Sequence, residues 1–579
     1  MKATPEIQRL FRNEVKADLV ILNALVLDPY HVRFTKRDIS IFQGYVVAFK
    51  ALESDHVIDA QHQYMIPLLV DAHMHIESTT ILPNQLEQIL LPKGVGTLIA
   101  DPHELANVAG LKGIECILNA SEGLDLEVKV MLPSSVPCTP EDHSGAILNA
   151  EDLKPLLTHP RVLGLAEVMD KHAVVFDEDM RLKLQYSHEA NKLIDGHGAN
   201  LEENDEDVYL AMGITSDHEC TVEDIAIRRL EKGMMIHIRQ GSVTKNLEAL
   251  LPCITPYNCR RFCFCTDDMH PDDVFEHGGV DDVVKQAIQY GLDPALAYTM
   301  ATYHPSTHYQ LMDEGVIAPG HKANFYLLND FTSFNVSDVY REGRLVAQHG
   351  KCIKSLKDID VSASLLNSIH LPELTNLNFD CIIKSKVSRT ILVESGNVVT
   401  RLIYEEVTKD DQHRFVSNPS KNLAKLSVLQ RHVPNGQMSH CPVKGFGLLH
   451  GAIASSVAHD SHNLVIASTN DEDALVAIKA LQDCGGGFAV VKDGQVLGCV
   501  PLEIAGLMTK KPLHESLKDW QKLHEAYALV ASPIDFNPFV MLSFLALPVI
   551  PEVKLTDSGL VDVMTQMILP LEVNSLDEN

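Results

Sequence analysis

The chain has 579 residues, more than a single hydrophobic core organises, so two or three domains are expected. Hydrophobic residues make up 45% and charged residues 22%, an ordinary balance for a globular protein. A net charge of −30 repels phosphate backbones and anionic membranes and argues against nucleic-acid or membrane partners.

The twelve cysteines form no disulfide framework. Cys259, Cys263 and Cys265 cluster without a C-x-x-C pair, so a zinc site of that type is not expected, and scattered thiols fit a reducing compartment. Met1 to Val15 lacks the apolar core of a signal peptide, and Phe539 to Ile550, broken by Pro548, is too short to span a bilayer. A cytoplasmic protein is expected.

After a helical or loose arm over 1–15, Ala17 to Asp28 reads as a strand, Asp38 to Phe49 as a hairpin around Gly44, and Val57 to Asp59 as a short strand. A matching unit returns much later, with a turn at Gly315 to Gly320, a strand over Ala323 to Asp330 and a hairpin around Gly343. The two flanks are expected to pair into one small sheet domain, residues 1–64 with 315–370, around an inserted domain of residues 65–314.

Inside the insertion, strand-like and helix-like runs alternate. The strands are Met65 to Val70, Gly96 to Asp101, Leu126 to Leu132, Val162 to Glu167, Ile194 to His197, Gly213 to His218, Met234 to Arg239 and Arg261 to Thr266. The helices include Asn84 to Leu91, Leu111 to Ala120, Met180 to Leu193, Val222 to Lys232 and Val280 to Tyr290. Eight such units in about 250 residues predict an α/β fold, a (β/α)8 barrel whose C-terminal strand ends carry the chemistry. A third unit, 375–579, reads as α+β, with Asn470 capping a helix over Glu472 to Gln482 and a hairpin turn at Asp493-Gly494.

The strand ends carry His73 and His75, then Asp101, His103 and Glu104, then Glu167, His197, Asp217 with His218, Arg239, and Asp267 with Asp268. His73 and His75 lie one residue apart, so a strand points both the same way. Imidazoles and carboxylates at one rim suit two divalent ions such as zinc, manganese or iron(II), with Glu167 placed between them. A pair of ions activates water at neutral pH, and a carboxylate such as Asp267 can shuttle its proton, so hydrolysis at a carbon bound to nitrogen or oxygen is expected.

The strings D-A-H-M-H-I-E-S (71–78), A-D-P-H-E-L-A-N-V (100–108), L-G-L-A-E-V-M-D (163–170), D-G-H-G (195–198), S-D-H-E-C (216–220) and C-T-D-D-M-H-P-D-D (265–273) resemble those of the bacterial adenine deaminases, a branch of the amidohydrolase superfamily. The resemblance resumes in G-A-I-A-S-S-V-A-H-D-S-H-N (451–463) and is weaker around 360–440. It implies a first metal on His73, His75 and Asp267, a bridging Glu167, and a second metal on His197 and His218. It further implies adenine as the small-molecule substrate, attacked at C6 by an activated hydroxide to give hypoxanthine and ammonia in purine salvage. Two divalent ions, manganese or iron with zinc as the other option, would be the cofactors. Asp267 would carry the proton, with Glu104 as a second catalytic candidate and His103, Arg239 and Ser242 as substrate-binding candidates. A homodimer is expected.

Two departures stand out from the family pattern. Gln240 replaces a glutamate after the seventh strand, which removes a charge from the pocket if that residue faces it. Gly198-Ala199 replaces a proline after His197 and is expected to loosen that loop. His459 and His462 are expected to be structural, with a lid over the pocket as the other role. Another amidohydrolase acting on a cyclic amide, or a homologue that only binds, are the competing readings. The first is disfavoured by Glu167 where such enzymes often carry a lysine.

Overall fold

In the computed structural model, which describes residues 4–139, 142–199, 201–242, 244–395 and 398–573, eight short strands curl into a parallel barrel. They are β1 (Leu69–His75), β2 (Val95–Ala100), β3 (Glu127–Leu132), β4 (Val162–Val168), β5 (Leu193–Gly196), β6 (Ser216–Asp217), β7 (Met235–Arg239) and β8 (Phe262–Cys265). Parallel ladders join β1 through β5 in order, and β6 through β8. Thr215 N donates to the Ile194 carbonyl at 3.2 Å between the two sets, and Asp267-Asp268, just past β8, pairs with Met74 and His75 to close the ring. Asp71 on β1 reinforces that closure by accepting from Thr266 N at 3.0 Å and Thr266 Oγ1 at 2.6 Å. Every residue of β1 and β2 is buried, as in a sheet covered on both faces. The helix Val280–Gln289 covers the outside with Val280, Val283, Val284 and Ala287, a spacing of three and four that makes one apolar stripe.

Two strands differ from the sequence reading. The apolar run Met65 to Val70 is split: Tyr64–Pro67 joins the flanking sheet, antiparallel to Phe325–Leu328, and β1 begins only at Leu69. The first ladder carries one bond past Pro67, Leu68 N donating to the in-register Asn324 carbonyl at 3.2 Å, and Leu69 N then turns to the Gly94 carbonyl of the barrel at 2.9 Å. The sixth strand shrinks from Gly213–His218 to two residues. Gly213, at φ +88°, ends a helix Glu203–Ala211 that was not anticipated; its N–H bonds Leu210 and that of Ile214 bonds Tyr209, so both residues serve the helix C-terminus.

Strands from 19–67 and 325–352 form one nine-stranded sheet beside the barrel. Beyond it lies a largely antiparallel eight-stranded sheet with helices Asp471–Cys484 and Leu513–Ala528, then a three-stranded sheet over 553–569. The Asn470 side chain accepts from Asp473 N at 2.7 Å, the expected cap. Among the described residues no helix is long and apolar enough to cross a membrane.

Candidate metal centre

Glu167, at the end of β4, is the hub. Its Oε2 lies 3.1 Å from His197 Nδ1, 2.9 Å from His218 Nε2 and 3.7 Å from His73 Nε2; its Oε1 lies 3.6 Å from His75 Nε2. Asp267 Oδ1 stands 3.5 Å from His73 Nε2 and 3.2 Å from His75 Nε2. All six side chains are buried. Four strand ends and the closing Asp267 therefore deliver the expected set to one place.

The donor set fits cations. His75 Nδ1 sits 3.2 Å from the Asp101 carbonyl and must donate there, which leaves its Nε2 as a lone pair. That lone pair faces His73 Nε2 at 3.2 Å. Ligand atoms around an ion with bonds of about 2.0–2.2 Å are separated by roughly 3–4 Å, the spacing seen here. The groupings His73 with His75 and Asp267, His73 with Glu167 and His218, and His197 with His218 and Glu219 each bring their donor atoms within 4.8 Å of one another. Burial opposes charge on these groups, yet the facing imidazoles outweigh it and hold Glu167 and Asp267 well below the usual carboxylate range. Burial likewise works against His218, but Glu167 raises it to about 9.

Glu219 is a residue that sequence reasoning missed. Strand alternation would turn it away from His218, but β6 ends at Asp217, and past that point both side chains face the cluster. Glu219 Oε1 lies 3.7 Å from His197 Nδ1 and 3.6 Å from His218 Nε2. Glu219 also grips Arg239 with both oxygens, the Nη2 contact at 2.8 Å. Arg239 Nη1 in turn donates to Asp267 Oδ2 at 2.9 Å, and its Nε to Asn246 at 2.8 Å. A cavity of about 850 Å³ opens beside this pair, lined by Glu219, Arg239, Ser242 and His270 of the barrel and Phe536 and Asn537 of the C-terminal unit.

His103 lies on the other side. Its Nδ1 is 3.1 Å from Asp101 Oδ2 and 3.3 Å from Glu167 Oε1, and its Nε2 is 3.2 Å from Glu104 Oε1. Glu104 meets two residues 355 or more positions away: His459 Nδ1 at 2.5 Å on Oε1, and His462 Nε2 on Oε2. Asp268 accepts from Ser78 at 2.5 Å, outside the ligand set.

The departures resolve. Gln240 donates to Gln286 at 2.9 Å and accepts from Leu247 N at 3.3 Å, so it braces a loop. The loop after β5 is pinned, against the expectation that it loosens: Gly198 N donates to Asp217 at 2.8 Å and the Gly198 carbonyl accepts from Arg229 at 2.6 Å. A Cβ on Gly198 would meet Arg229 Nη1 at 2.5 Å, so the small residue admits that clamp.

Comparison with known proteins agrees. Residues 64–346 match the amidohydrolase family and residues 397–567 match the adenine deaminase C-terminal domain. The chain is 41% identical to an adenine deaminase of Halalkalibacterium halodurans, over 98% of each. It is 42% identical to one of Geobacillus kaustophilus, over 96% of this chain and 97% of that one. It is 40% identical to one of Lysinibacillus sphaericus, over 98% of this chain and 100% of that one.

Proposed function

The chain belongs to the adenine deaminases of the amidohydrolase family, and from that premise we propose that its buried rim hydrolyses adenine to hypoxanthine and ammonia. Water oxygen adds at C6, the bond from C6 to the exocyclic nitrogen breaks, and that nitrogen leaves as ammonia. The observation that carries the reading is the convergence of His73, His75, Glu167, His197, His218 and Asp267 on one buried point.

His73, His75 and Asp267 would hold one divalent ion and His197 with His218 a second, with Glu167 shared; manganese or iron(II) suits this donor set, and zinc is compatible. Such a pair, when bound, lowers the pKa of water toward neutrality. Asp267 takes a proton from the attacking water at Oδ1 and returns it to N1 or to the departing amine. Arg239, fixed by Glu219 and Asn246, holds Asp267 by its other oxygen and keeps Oδ1 aimed at the cluster. Ser242 lines the adjoining cavity, which is large enough for a purine, and Phe536 closes it from the C-terminal unit. His103 presents Nδ1 beside Glu167, with Glu104 behind it. Sheet membership supports a division into a flanking β unit, a barrel and a C-terminal unit, expected as 1–64 with 315–370, 65–314 and 375–579, with the first boundary moved past Pro67.

The test is ammonia release by protein reconstituted with Mn²⁺ or Fe²⁺, offered adenine, guanine, adenosine and hydantoin. Turnover of adenine is expected; turnover of hydantoin with adenine left untouched would replace this reading by a cyclic-amide hydrolase.

A further inference from the structure

The C-terminal unit does more at the rim than cover it. Residues 458–463 form a buried loop whose shape is set by its own scaffold. Arg431, with no exposed surface, donates through Nε to the His462 carbonyl and through Nη1 and Nη2 to Ser368 Oγ and the Ala505 carbonyl, both at 3.0 Å. His459 N donates to the Ser543 carbonyl at 2.9 Å, and the His459 ring stacks on Phe544 with centroids 4.4 Å apart. Asn463 Nδ2 donates to the His143 carbonyl of the barrel at 2.9 Å.

This scaffold also decides a tautomer. Ala458 N donates to His462 Nδ1 at 3.1 Å, so Nδ1 carries no proton and the hydrogen of the neutral ring sits on Nε2, facing Glu104 Oε2. His459 Nδ1 is hydrogen-bonded to Oε1 and His462 Nε2 lies against Oε2, so both oxygens of the carboxylate are contacted by groups from the other unit. The held carboxylate faces His103 Nε2, and the opposite nitrogen of that ring lies between Asp101 and the shared Glu167. A row of contacts therefore runs from the C-terminal loop through one carboxylate and one imidazole to the centre of the site. Among the described residues no Lys or Arg forms an ion pair with Glu104, so its orientation rests on imidazoles alone.

We propose that His459 and His462 are positioning residues of the reaction, fixing Glu104 so that it orients His103 against Glu167. The proposal rests on the deaminase reading above. It makes the catalytic centre a product of both units, with the C-terminal loop supplying the outer layer that the barrel lacks at this edge.

The test compares holoenzyme variants for kcat and KM with adenine, Mn²⁺ content and thermal midpoint. His459→Leu and His462→Leu remove the contact to Glu104 and are expected to lower kcat roughly 10- to 100-fold, with KM and metal content little changed. His462→Gln retains a donor at the Nε2 position and His459→Asn one at the Nδ1 position; each is expected to recover most of the loss. His462→Leu added to Glu104→Gln is expected to cost no more than Glu104→Gln alone, because the two act through one carboxylate. Leucine variants with wild-type kcat, additive losses in the double variant, or losses that only follow the folded fraction would overturn the proposal. A wild-type protein inert toward adenine would instead overturn the deaminase reading, so the two failures are distinguishable. If the leucine variants do not fold, the asparagine and glutamine variants and the Glu104→Gln cycle decide the same question.

Discussion

Asp267 sits at φ +63°, a left-handed backbone that side chains other than Asn and Asp seldom adopt. The turn this creates lets the chain leave β8 and aim one carboxylate both at His73 and His75 and at Arg239. Asn tolerates the same backbone, so Asp267→Asn removes charge and basicity without straining the turn, and metal content is measured beside kcat because the same carboxylate belongs to the candidate ligand set. It is expected to lower kcat by about 10²–10⁴-fold, the usual range for a lost proton shuttle; steady-state ammonia release measures it, and a near-normal kcat would rule out the role. Glu219→Gln acts one contact further out. It breaks the two-oxygen grip on Arg239 and is expected to cost roughly 10- to 100-fold in kcat/KM for adenine. Arg239→Lys should lose a similar factor because an ammonium cannot span both oxygens of Glu219. Retention of activity in both would show that the Glu219–Arg239 pair is only structural.

At the scale of elements, the barrel depends on close approach. A Cβ on Gly164 of β4 would stand 2.0 Å from the Leu193 carbonyl of β5, its register partner. Gly164→Ala must therefore push β5 outward and is expected to destabilise by about 1–3 kcal/mol, as overpacking does, and to weaken metal retention because His197 follows β5. Urea denaturation and metal content measure the two effects; an unchanged midpoint would mean that β5 yields freely. A second element-scale prediction concerns the three-stranded sheet of the C-terminal unit. Lys554 is fully buried there, its Nζ donating to the Val398 carbonyl at 2.8 Å, and burial lowers it from 10.5 to about 7. The unfolded chain keeps this proton up to pH 10.5 and the folded chain only below about 7. The penalty is thus full below pH 7, shrinks as pH rises and vanishes above 10.5. Lys554→Met is expected to stabilise by roughly 2–4 kcal/mol at neutral pH, with the gain fading toward pH 10.5. Equal gains at pH 7 and 10.5 would contradict the titration.

Across the whole molecule, the site joins barrel strands, their closing turn and a loop of another unit, so what binds at the rim stabilises more than the rim. Metal binding to the folded form alone adds about 2.7 kcal/mol at a free concentration one hundred times Kd. Dialysis against a chelator is therefore expected to lower the thermal midpoint and to sharpen proteolysis of the C-terminal loop, and Mn²⁺ to reverse both. A midpoint indifferent to chelator and Mn²⁺ would mean that the cluster holds no ion.

Repeating β-α periodicity determined the barrel from sequence, because parallel strands buried on both faces read as short apolar runs and their ends as polar residues. It also placed His73 and His75 side by side, since a strand repeats every two residues. Local pattern misled at Glu219, where β6 stops two residues into its run and strand alternation no longer applies. It also missed the break at Pro67, where one apolar run serves two sheets. Contacts between distant segments were beyond its reach. The meeting of Glu104 with His459 and His462 depends on how separate units pack, and the turn of Gln240 toward Gln286 on how distant segments of the barrel pack, so only the tertiary structure decides which side chains share a point in space.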